Sequence, residues 1–512
     1  MNSSYDEEYI MVNDHLNLDE SAEWAGLWWL VEDPDKKVPG ILRYDGEGSL
    51  ELLLIGAFED RSMAISESVS KVQHGGGGEW DVIHGVAECK RITLFGCIAT
   101  RTVSVFGAQV KSPDKQIISS KTAVIGAHVN NEDEAVFSGM EMSIDDLVLW
   151  ADSSVFVGSS GMREGRFDGT ASISVEPVGS RSVAVAGNEF CLIHENTIRP
   201  SLDCRKGKTL VRMSDMVFMR ITPVDPFSMN KVQRMVRMMQ DLISLATNHA
   251  AGLIWLRVEK AETDSAMSAD YPKQNRRAYV LYAPSRRGSC DAKAVDRKRV
   301  FFTCDSIPFE EVIPRWCDVH GRLQEAINMI LGLRYAPMRY VENNLLTAVG
   351  AAEVLHRCLG IDKKPFPSEE FKEMRNAMLD QVSPEYRDRF KGAIRNDPTL
   401  RDRLNGLVER LDQCLVSDFM FDLNEWVKRA VKARNNLTHQ GRTSSQSIEE
   451  LAAIVEITKI VVILNLLREL EVPVDHQHDL ARRHPWFRGV VEEARKWLSS
   501  SSGRSSGDEL IC

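Results

Sequence analysis

The sequence predicts an α+β protein of two domains, because its hydrophobic pattern changes from strand-like to helix-like near residue 310. Before that point, short β-rich runs alternate with Gly, Asp and Ser turns, and after it apolar residues recur every three or four positions. A chain of 512 residues has room for two or three cores. We divide it into an acidic segment (1–20), a β-rich sandwich-like domain (21–308), an all-α four-helix bundle with a helical insertion (309–498) and a disordered tail (499–512).

The composition is that of an ordinary globular protein and argues against several classes. The net charge is −11, so any contact with nucleic acid must come from local basic patches. The first 26 residues carry seven acidic and no basic side chains, so we expect no secretory or organellar leader. The longest apolar run, Ile460 to Leu467, is too short to cross a membrane. The ten cysteines lack Cys-x-x-Cys spacing, which favours reduced thiols in the cytoplasm over a zinc site or disulfides.

The first half of the chain reads as strands. The clearest are Gly26–Val31, Leu50–Ile55, Arg91–Ile98 and Ala171–Val175. Strand-like pieces return after a methionine-rich helix over Lys231–Thr247, and they are Gly252–Val258, Ala278–Tyr282 and Val300–Cys304. We expect the tryptophans of this half, Trp28, Trp29, Trp80 and Trp150, to be core anchors. We expect its histidines, His84 and His128, to be packed or surface residues rather than to bind a ligand.

Two stretches of this half could contact phosphate. Gly75–Gly78 is a run of four glycines, but no Gly-Lys-Ser/Thr follows it, so we predict a hairpin linker. Residues 273–299 hold nine basic and two acidic side chains. That stretch is either a solvated loop or a phosphate-contacting surface, and the sequence leaves both open.

The second half predicts four principal helices. Apolar stripes begin near Pro314 and Val341, and further stripes run from Leu400 to Leu411 and from Met420 to Leu437. Residues 361–397 are charged and interrupted by prolines, which indicates short inserted helices. The last long helix starts at a capping box, Ser447-x-x-Glu450, and is apolar around most of its girth. Short connections between such helices are typical of an up-and-down bundle.

Arg434 is the exception in the stripe that ends at Gly441, where every other position is apolar. Burying an unpaired guanidinium costs several kcal/mol, so Arg434 should face an acid, a wet cleft or a second subunit. His439 lies five residues further on, which in an ideal helix separates the two side chains by roughly 140°. They would meet most easily where the helix frays, or where two copies of the helix converge.

An arginine and a histidine in one groove are the minimum for cleaving RNA without a metal. Histidine gives or takes a proton near neutral pH, as needed at the ribose 2′-hydroxyl, and arginine holds the phosphate as charge develops. Five basic residues and no acid lie between residues 428 and 442, which predicts a positive field around His439: Lys428, Arg429, Lys432, Arg434 and Arg442. Arg-x-x-x-x-His alone is a weak pattern, and its position in a bundle gives it weight.

The segment Arg434-Asn-Asn-Leu-Thr-His439, at the end of the third long helix, resembles the signature of HEPN domains. The stretch Tyr340–Arg357 resembles the preceding helix of the ApeA-type branch of that family. Four upstream segments look like the β-rich N-terminal domain of the same branch: Trp24–Trp29, Val38–Tyr44, Ile83–Gly85 and Leu147–Trp150. The likeness covers about residues 20–470.

This resemblance implies a homodimeric endoribonuclease that acts without cofactor or metal in antiphage defence by abortive infection. Its substrate would be host RNA, with tRNA anticodon loops as one candidate, and its N-terminal domain would sense a phage-derived trigger. Carried over by motif position, Arg434 and His439 are catalytic and Asn435 orients them. Glu353 and Arg357 resemble a supporting pair found in some members, although Glu353 could equally be the ion partner of Arg434.

Two other functions are consistent with the sequence. The domain could be a silent HEPN module that binds nucleotide or RNA, with the β-rich domain as a ligand-binding module. Alternatively, the segment Asp475-His-Gln-His-Asp479 could bind a cation for hydrolysis, although an isolated His-x-His is far more often part of a polar helix start.

Overall fold

The computed structural model describes residues 16–58, 62–66, 69–73, 78–103, 113–196, 201–205, 208–260, 276–282, 297–418, 423–441 and 446–498. The predicted disordered tail, most of the acidic segment, three of the four glycines and most of the basic stretch 273–299 lie outside these residues. The chain forms a β unit (Met1–Ile243 and Ala251–Cys290) and a helical unit (Ser244–Ala250 and Asp291–Cys512). The predicted two-domain α+β class is therefore confirmed.

The β unit contains 19 strands and two helices in its described residues. The strands are β1 (Ala22–Leu30), β2 (Asp33–Tyr44), β3 (Leu50–Ile55), β4 (Ser62–Ser66), β5 (Val69–Gln73), β6 (Glu79–Ala87), β7 (Lys90–Val103), β8 (Lys115–Ser119), β9 (Thr122–Ile125), β10 (Phe137–Ile144), β11 (Phe156–Arg163), β12 (Arg166–Val175), β13 (Arg181–Val185), β14 (Asn188–Asn196), β15 (Ser201–Arg205), β16 (Lys208–Arg212), β17 (Asp215–Pro223), β18 (Leu253–Lys260) and β19 (Arg276–Tyr282). The helices are α1 (Leu147–Ala151) and α2 (Met229–Thr247), whose methionines are buried in the core. The end of α2, from Ser244, belongs to the helical unit.

Thirteen strands form one sheet in the order β13-β14-β17-β10-β18-β19-β9-β7-β6-β1-β2-β3-β8. The long strand β7 pairs with β9 through its first half and with β8 through its second half. The β7–β8 pairing closes six strands into a barrel, because β8 also pairs with β3. The unit is therefore a partly closed sheet rather than two separate sheets packed face to face. Closing the sheet removes two edges that would otherwise present unpaired backbone groups.

Trp28 is the packing centre of the barrel and explains the glycines that face it. Its side chain is fully buried, and its indole N–H donates to the carbonyl of Gly40 over 3.1 Å. A Cβ added at Gly85 would lie 2.3 Å from the Trp28 ring, so only a glycine lets the ring lie against β6. Trp150 is also fully buried, as predicted. Trp29 and Trp80 remain partly exposed, so they are not the core anchors that we expected.

His84 and His128 form a stacked pair with ring centroids 4.4 Å apart. Each ring places its Nε2 against a backbone carbonyl, that of Val129 for His84 and that of Gly85 for His128. Burial lowers the pKa of His128 to about 4 and lowers that of His84 as well, and the neighbouring imidazole adds to the effect on His128. Of the two placements that we predicted, packed or at the surface, the structure has both histidines packed.

A buried ion cluster joins three strands of the sheet. Glu141 on β10 is opposite Arg220 on β17 and Arg257 on β18, and its carboxylate pairs with both guanidinium groups. Burial alone would raise the pKa of Glu141, but the hydrogen bond from Arg220 and the two positive charges lower it below its ordinary value. The buried negative charge of Glu141 is therefore compensated by arginines on both neighbouring strands.

Besides a short 3-10 helix, Arg297–Arg299, the helical unit contains ten α-helices in its described residues. They are α3 (Phe309–Tyr335), α4 (Val341–Cys358), α5 (Ser368–Asp380), α6 (Pro384–Ala393), α7 (Leu400–Glu409), α8 (Gln413–Asp418), α9 (Leu423–Gln440), α10 (Ile448–Glu469), α11 (Val474–Arg483) and α12 (Pro485–Leu498). The long helices α3, α4, α9 and α10 form the predicted bundle. Helices α5 and α6 lie within the predicted insertion, 361–397, and α7 coincides with the predicted stripe from Leu400 to Leu411. No helix among the described residues has the length and apolarity needed to span a bilayer.

Helix α10 is central and packs against α3, α4, α7, α9 and α12. Its one buried amide, Asn465, interrupts the apolar run and is fully hydrogen-bonded. The Asn465 side-chain N–H₂ donates to the carbonyls of Leu407 and Val461, and its Oδ1 accepts from Arg410. Because an unpaired polar group would be costly there, these bonds fix the position of α7 along α10.

Three local predictions for this half need correction. Val300–Cys304 is not a strand, although Phe301 and Phe302 are buried; an apolar aromatic run has the same composition in a core loop as in a buried strand. Helix α3 begins at Phe309, before Pro314, which lies inside the helix. Ser447 caps α10 by accepting from the Glu450 N–H, but the Glu450 carboxylate turns to Gln446 and Arg429, so the reciprocal half of the capping box is not made.

Replacing Gly85 with alanine should destabilise the β unit. The added methyl group would overlap the Trp28 ring, and forcing extra volume into a packed core costs about 1–3 kcal/mol. Denaturant unfolding followed by tryptophan fluorescence measures the loss. Gly158→Ala is the control, because nothing lies within 4 Å of a Cβ there. Equal stability of the two variants would contradict this account of the barrel.

The stacked histidines should make the β unit less stable in acid. The pKa of His128 is about 4 in the folded protein against 6.5 when solvated, so the unfolded chain binds more protons between these values. Stability should therefore fall as the pH falls from about 6.5 towards 4, with no further contribution below that. The measurement is the thermal midpoint against pH. His128→Phe should flatten the dependence in this window, and an unchanged slope would contradict the assignment.

Candidate functional site

Helix α9 carries the Arg434–His439 motif, and the buried side of the helix holds it against α10. Ala430 and Ala433 are fully buried, and the indole N–H of Trp426 donates to the Thr458 hydroxyl of α10 over 3.2 Å. The buried position at the motif is therefore Ala433, and Arg434 lies at the margin of the stripe rather than in it. The Arg434 side chain is 34% exposed, so its guanidinium reaches solvent.

Arg434 faces an acid, as its place in an apolar helix predicts. Its Nη2 lies 3.9 Å from Oε2 of Glu353 on α4, and its Nη1 donates to Oδ1 of Asn435 over 3.3 Å. Thr438 donates to the Arg434 carbonyl over 2.7 Å. At 3.9 Å the pairing with Glu353 is a long ion pair rather than a hydrogen bond, so the Nη2 donors of Arg434 remain available.

Glu353 is the shared partner of three arginines. Oε1 of Glu353 lies 2.6 Å from Nη2 of Arg357 and 2.7 Å from Nη1 of Arg403, in addition to the longer approach of Arg434. We call these four residues the Glu353 cluster. Three guanidinium groups around one carboxylate leave the cluster with a net positive charge, which favours an anion such as a phosphate.

Arg403, on α7, is the buried member of the cluster and was missed in the sequence. Its side chain is 8% exposed, and Nη2 lies 3.8 Å from Oδ2 of Asp362. Asp362 in turn lies 2.8 Å from Nδ1 of His356, a buried histidine whose pKa is lowered mainly by that burial. Arg403 is a charged residue between the apolar positions Leu400, Leu404 and Leu407. A search for charged residues within apolar stripes, which identified Arg434, would therefore have identified Arg403 as well.

His439 is exposed on the last turn of α9 and makes no hydrogen bond to another described residue. The helix is regular up to Gln440 and closes at Gly441, where φ is +67° and the N–H donates to Leu437. Gly441 as the helix stop is confirmed. Since the helix does not fray before His439, the imidazole and the Arg434 guanidinium project in directions roughly 140° apart.

The positive field predicted around His439 is weaker than the sequence indicated. Glu425 lies 2.9 Å from Nε of Arg429 and 3.5 Å from Nζ of Lys428, and Glu450 lies 3.1 Å from Nη1 of Arg429. The hydrogen bond from Arg429 lowers the pKa of Glu425, which keeps that carboxylate ionised. Both acids lie outside the window of residues 428–442 that we counted: Glu425 is one turn earlier on α9, and Glu450 is brought to Arg429 by the packing of α10. Arg442 lies outside the described residues.

The two histidines of the alternative cation site do not converge. Nε2 of His476 lies 2.6 Å from the carbonyl of Phe301, and Nε2 of His478 lies 3.1 Å from Oδ1 of Asp412. Across the described part of the chain, no three His, Cys, Asp or Glu side chains are grouped so that they could hold a metal ion. His476 and His478 serve instead to fix the start of α11.

Family models match both halves of the chain. The model for ApeA N-terminal domain 1 matches residues 23–316, which is more than half of the chain, and the model for Apea-like HEPN matches residues 346–476. No curated protein and no solved structure matches. The second match includes the Glu353 cluster and the Arg434–His439 motif. The chain therefore belongs to the ApeA-type HEPN-domain defence proteins.

Proposed function

We propose that this protein is a homodimeric endoribonuclease that cleaves RNA without a metal, with Arg434 and His439 as its catalytic residues. The HEPN domain indicates a nuclease-type role in antiphage defence. The observation that carries the finer proposal is the state of Arg434, which is oriented by Glu353 at 3.9 Å and still one-third exposed. A buried structural arginine would have its donors saturated, and a purely solvated one would have no carboxylate to orient it.

The reaction follows from what the two side chains can do. Arg434 would hold the scissile phosphate with its planar donors, and Asn435 would keep the guanidinium in place. His439 would take the proton of the ribose 2′-hydroxyl as that oxygen attacks phosphorus and the bond to the 5′-oxygen breaks. A protonated histidine would then supply the proton that the departing 5′-oxygen needs. The products would be a 2′,3′-cyclic phosphate and a 5′-hydroxyl.

The active form would need two copies of the chain. Because α9 remains helical to Gln440, one Arg434 and the His439 of the same helix do not face one groove. Two α9 helices related by a twofold axis would bring both pairs to a common cleft. One histidine would then serve as base and the other as acid, which the reaction requires.

The biological setting completes the proposal. Host RNA, with tRNA anticodon loops as a candidate, would be cut in the cytoplasm when the β unit senses a phage-derived trigger, which would produce abortive infection. The alternative is a silent HEPN module that binds nucleotide or RNA without cutting it. The exposure of Arg434 and His439 favours the enzyme, because a silent module has no need of a proton-transfer group beside its anion site.

Replacing either Arg434 or His439 with alanine should lower RNA cleavage by about 10²–10⁴-fold, the usual contribution of a phosphate-holding cation or a general base. The measurement is the rate of cleavage of total cellular RNA by the triggered protein, with the RNA ends sequenced. Lys432→Ala is the matched control, because Lys432 is an exposed cation on the same helix. Full activity in His439→Ala would contradict the catalytic role of His439. No cleavage by the triggered wild type, with equal toxicity of wild type and variant in cells, would support the silent module.

Removing the Glu353 carboxylate should slow cleavage by about 10–100-fold through the position of Arg434. The test is a double-mutant cycle: Glu353→Gln should lower the rate in the wild type and have little further effect on Arg434→Ala. Glu369→Gln is the control, because Glu369 is an exposed acid 4.0 Å from Lys372 on α5. Additive losses in the double variant would mean that Glu353 acts independently of Arg434.

A further inference from the structure

A second constellation of reactive groups lies in the β unit, within the domain proposed as the sensor. The Ser153 hydroxyl oxygen lies 2.9 Å from Nε2 of His194, and Nδ1 of His194 lies 3.1 Å from Oδ1 of Asp215. The three side chains thus form a continuous hydroxyl–imidazole–carboxylate chain. Nucleophilic serines are activated by this order of groups at these distances.

The fold holds the base and the acid firmly. His194 on β14 is opposite Val217, and Asp215 begins β17 two residues before it, so the two side chains are diagonal neighbours on paired strands. Their side chains are 3% and 5% exposed. The second oxygen of Asp215 accepts from the backbone N–H of Val155 over 3.1 Å, which fixes the carboxylate from the opposite side.

The hydrogen bonds also determine the tautomer of His194. A carboxylate only accepts, so Nδ1 of His194 carries the proton that is donated to Asp215. Nε2 is then the bare nitrogen and accepts from the Ser153 hydroxyl. A second acceptor, the Ala151 carbonyl, lies farther from Ser153 at 3.3 Å. The imidazole is therefore oriented as a general base towards the serine.

Ser153 lies where the chain leaves helix α1. The helix is capped by Asp152 in the left-handed region, with φ +50° and ψ +35°, which turns the chain away from the helix axis. In the described part of the chain, the backbone N–H of the next residue, Ser154, has no hydrogen-bond partner. An N–H directly after a nucleophile is a common donor for the oxyanion of an acyl-transfer reaction.

We propose that Ser153, His194 and Asp215 form an acyl-hydrolase site whose substrates are carboxylic esters or thioesters. Ser153 Oγ attacks the acyl carbon while its proton passes to Nε2 of His194. The bond to the leaving alcohol or thiol breaks, and that group takes the proton from His194. A water molecule then attacks the acyl-serine, gives one proton to His194 and releases the acid, and the proton returns to Ser153.

The neighbouring hairpin indicates an apolar acyl group. Strands β11 and β12 begin and end beside the site, since Glu176 N–H donates to the carbonyl of Val155. Ile173 and Val175 alternate along one face of β12, together with Phe156 opposite Val175, and the Ile173 side chain is 69% exposed. Exposed large apolar residues on a hairpin beside a nucleophile provide a surface for a hydrocarbon chain.

The test is covalent labelling of the purified full-length protein with a fluorophosphonate, followed by peptide mass spectrometry. We expect the label on Ser153, its loss in Ser153→Ala, and a rate at least about 100-fold lower in His194→Gln. Hydrolysis of p-nitrophenyl octanoate should exceed that of p-nitrophenyl acetate. Ser172→Ala is the control, because Ser172 is an exposed hairpin serine whose hydroxyl lies 2.7 Å from that of Ser159.

The wild-type label alone decides the proposal if the variants do not fold. An unlabelled Ser153 in the folded wild type would overturn it and leave the three residues as a structural connection between α1 and the β14–β17 pair. A label that persists in Ser153→Ala would also overturn it. RNA cleavage by Ser153→Ala reports on the helical unit separately, so failure of one site is distinguishable from failure of the other.

Discussion

Burial of the Arg403 guanidinium is the constraint on which the proposed active site depends. A buried cation must be paired, and Arg403 is paired on one side with Glu353 and on the other with Asp362. These contacts fix α7 against α4. Asn465 fixes the same helix against α10 through the Leu407 carbonyl. The carboxylate that faces Arg434 is therefore held by helices that have no part in the motif itself, which is how a surface arginine acquires a defined direction.

The sequence predicts the local parts of this site better than its connections. Arg434 was found because one charged residue stood out in an apolar stripe, and its pairing with Glu353 was one of the two alternatives left open. The roles of Arg403 and Asp362 depend on the packing of α7 and of the segment after α4 onto the bundle, through contacts between residues far apart in sequence. The same reason explains the overestimated field at His439: Glu450 lies in the next helix and neutralises Arg429 only after folding.

The β unit shows the same division between local and long-range information. Its strands and its buried tryptophans Trp28 and Trp150 follow from alternation and composition. The closure of the barrel does not, because the β7–β8 pairing forms only once the four strands between them, β6, β1, β2 and β3, have been ordered. Gly85 had no recognisable role in the sequence for the same reason: it is small because a ring from another strand lies against it.

The unbroken helical course of α9 has a consequence for how the activity of such a protein could be kept low in a resting cell. A chain whose two reactive side chains point away from each other is chemically incomplete by itself, so under the proposed function its activity would rise with the square of its concentration at low copy number. A small resting pool would then be nearly inert. Any event that raised local concentration or favoured pairing would convert that pool into enzyme over a narrow range, with no need for a separate inhibitor.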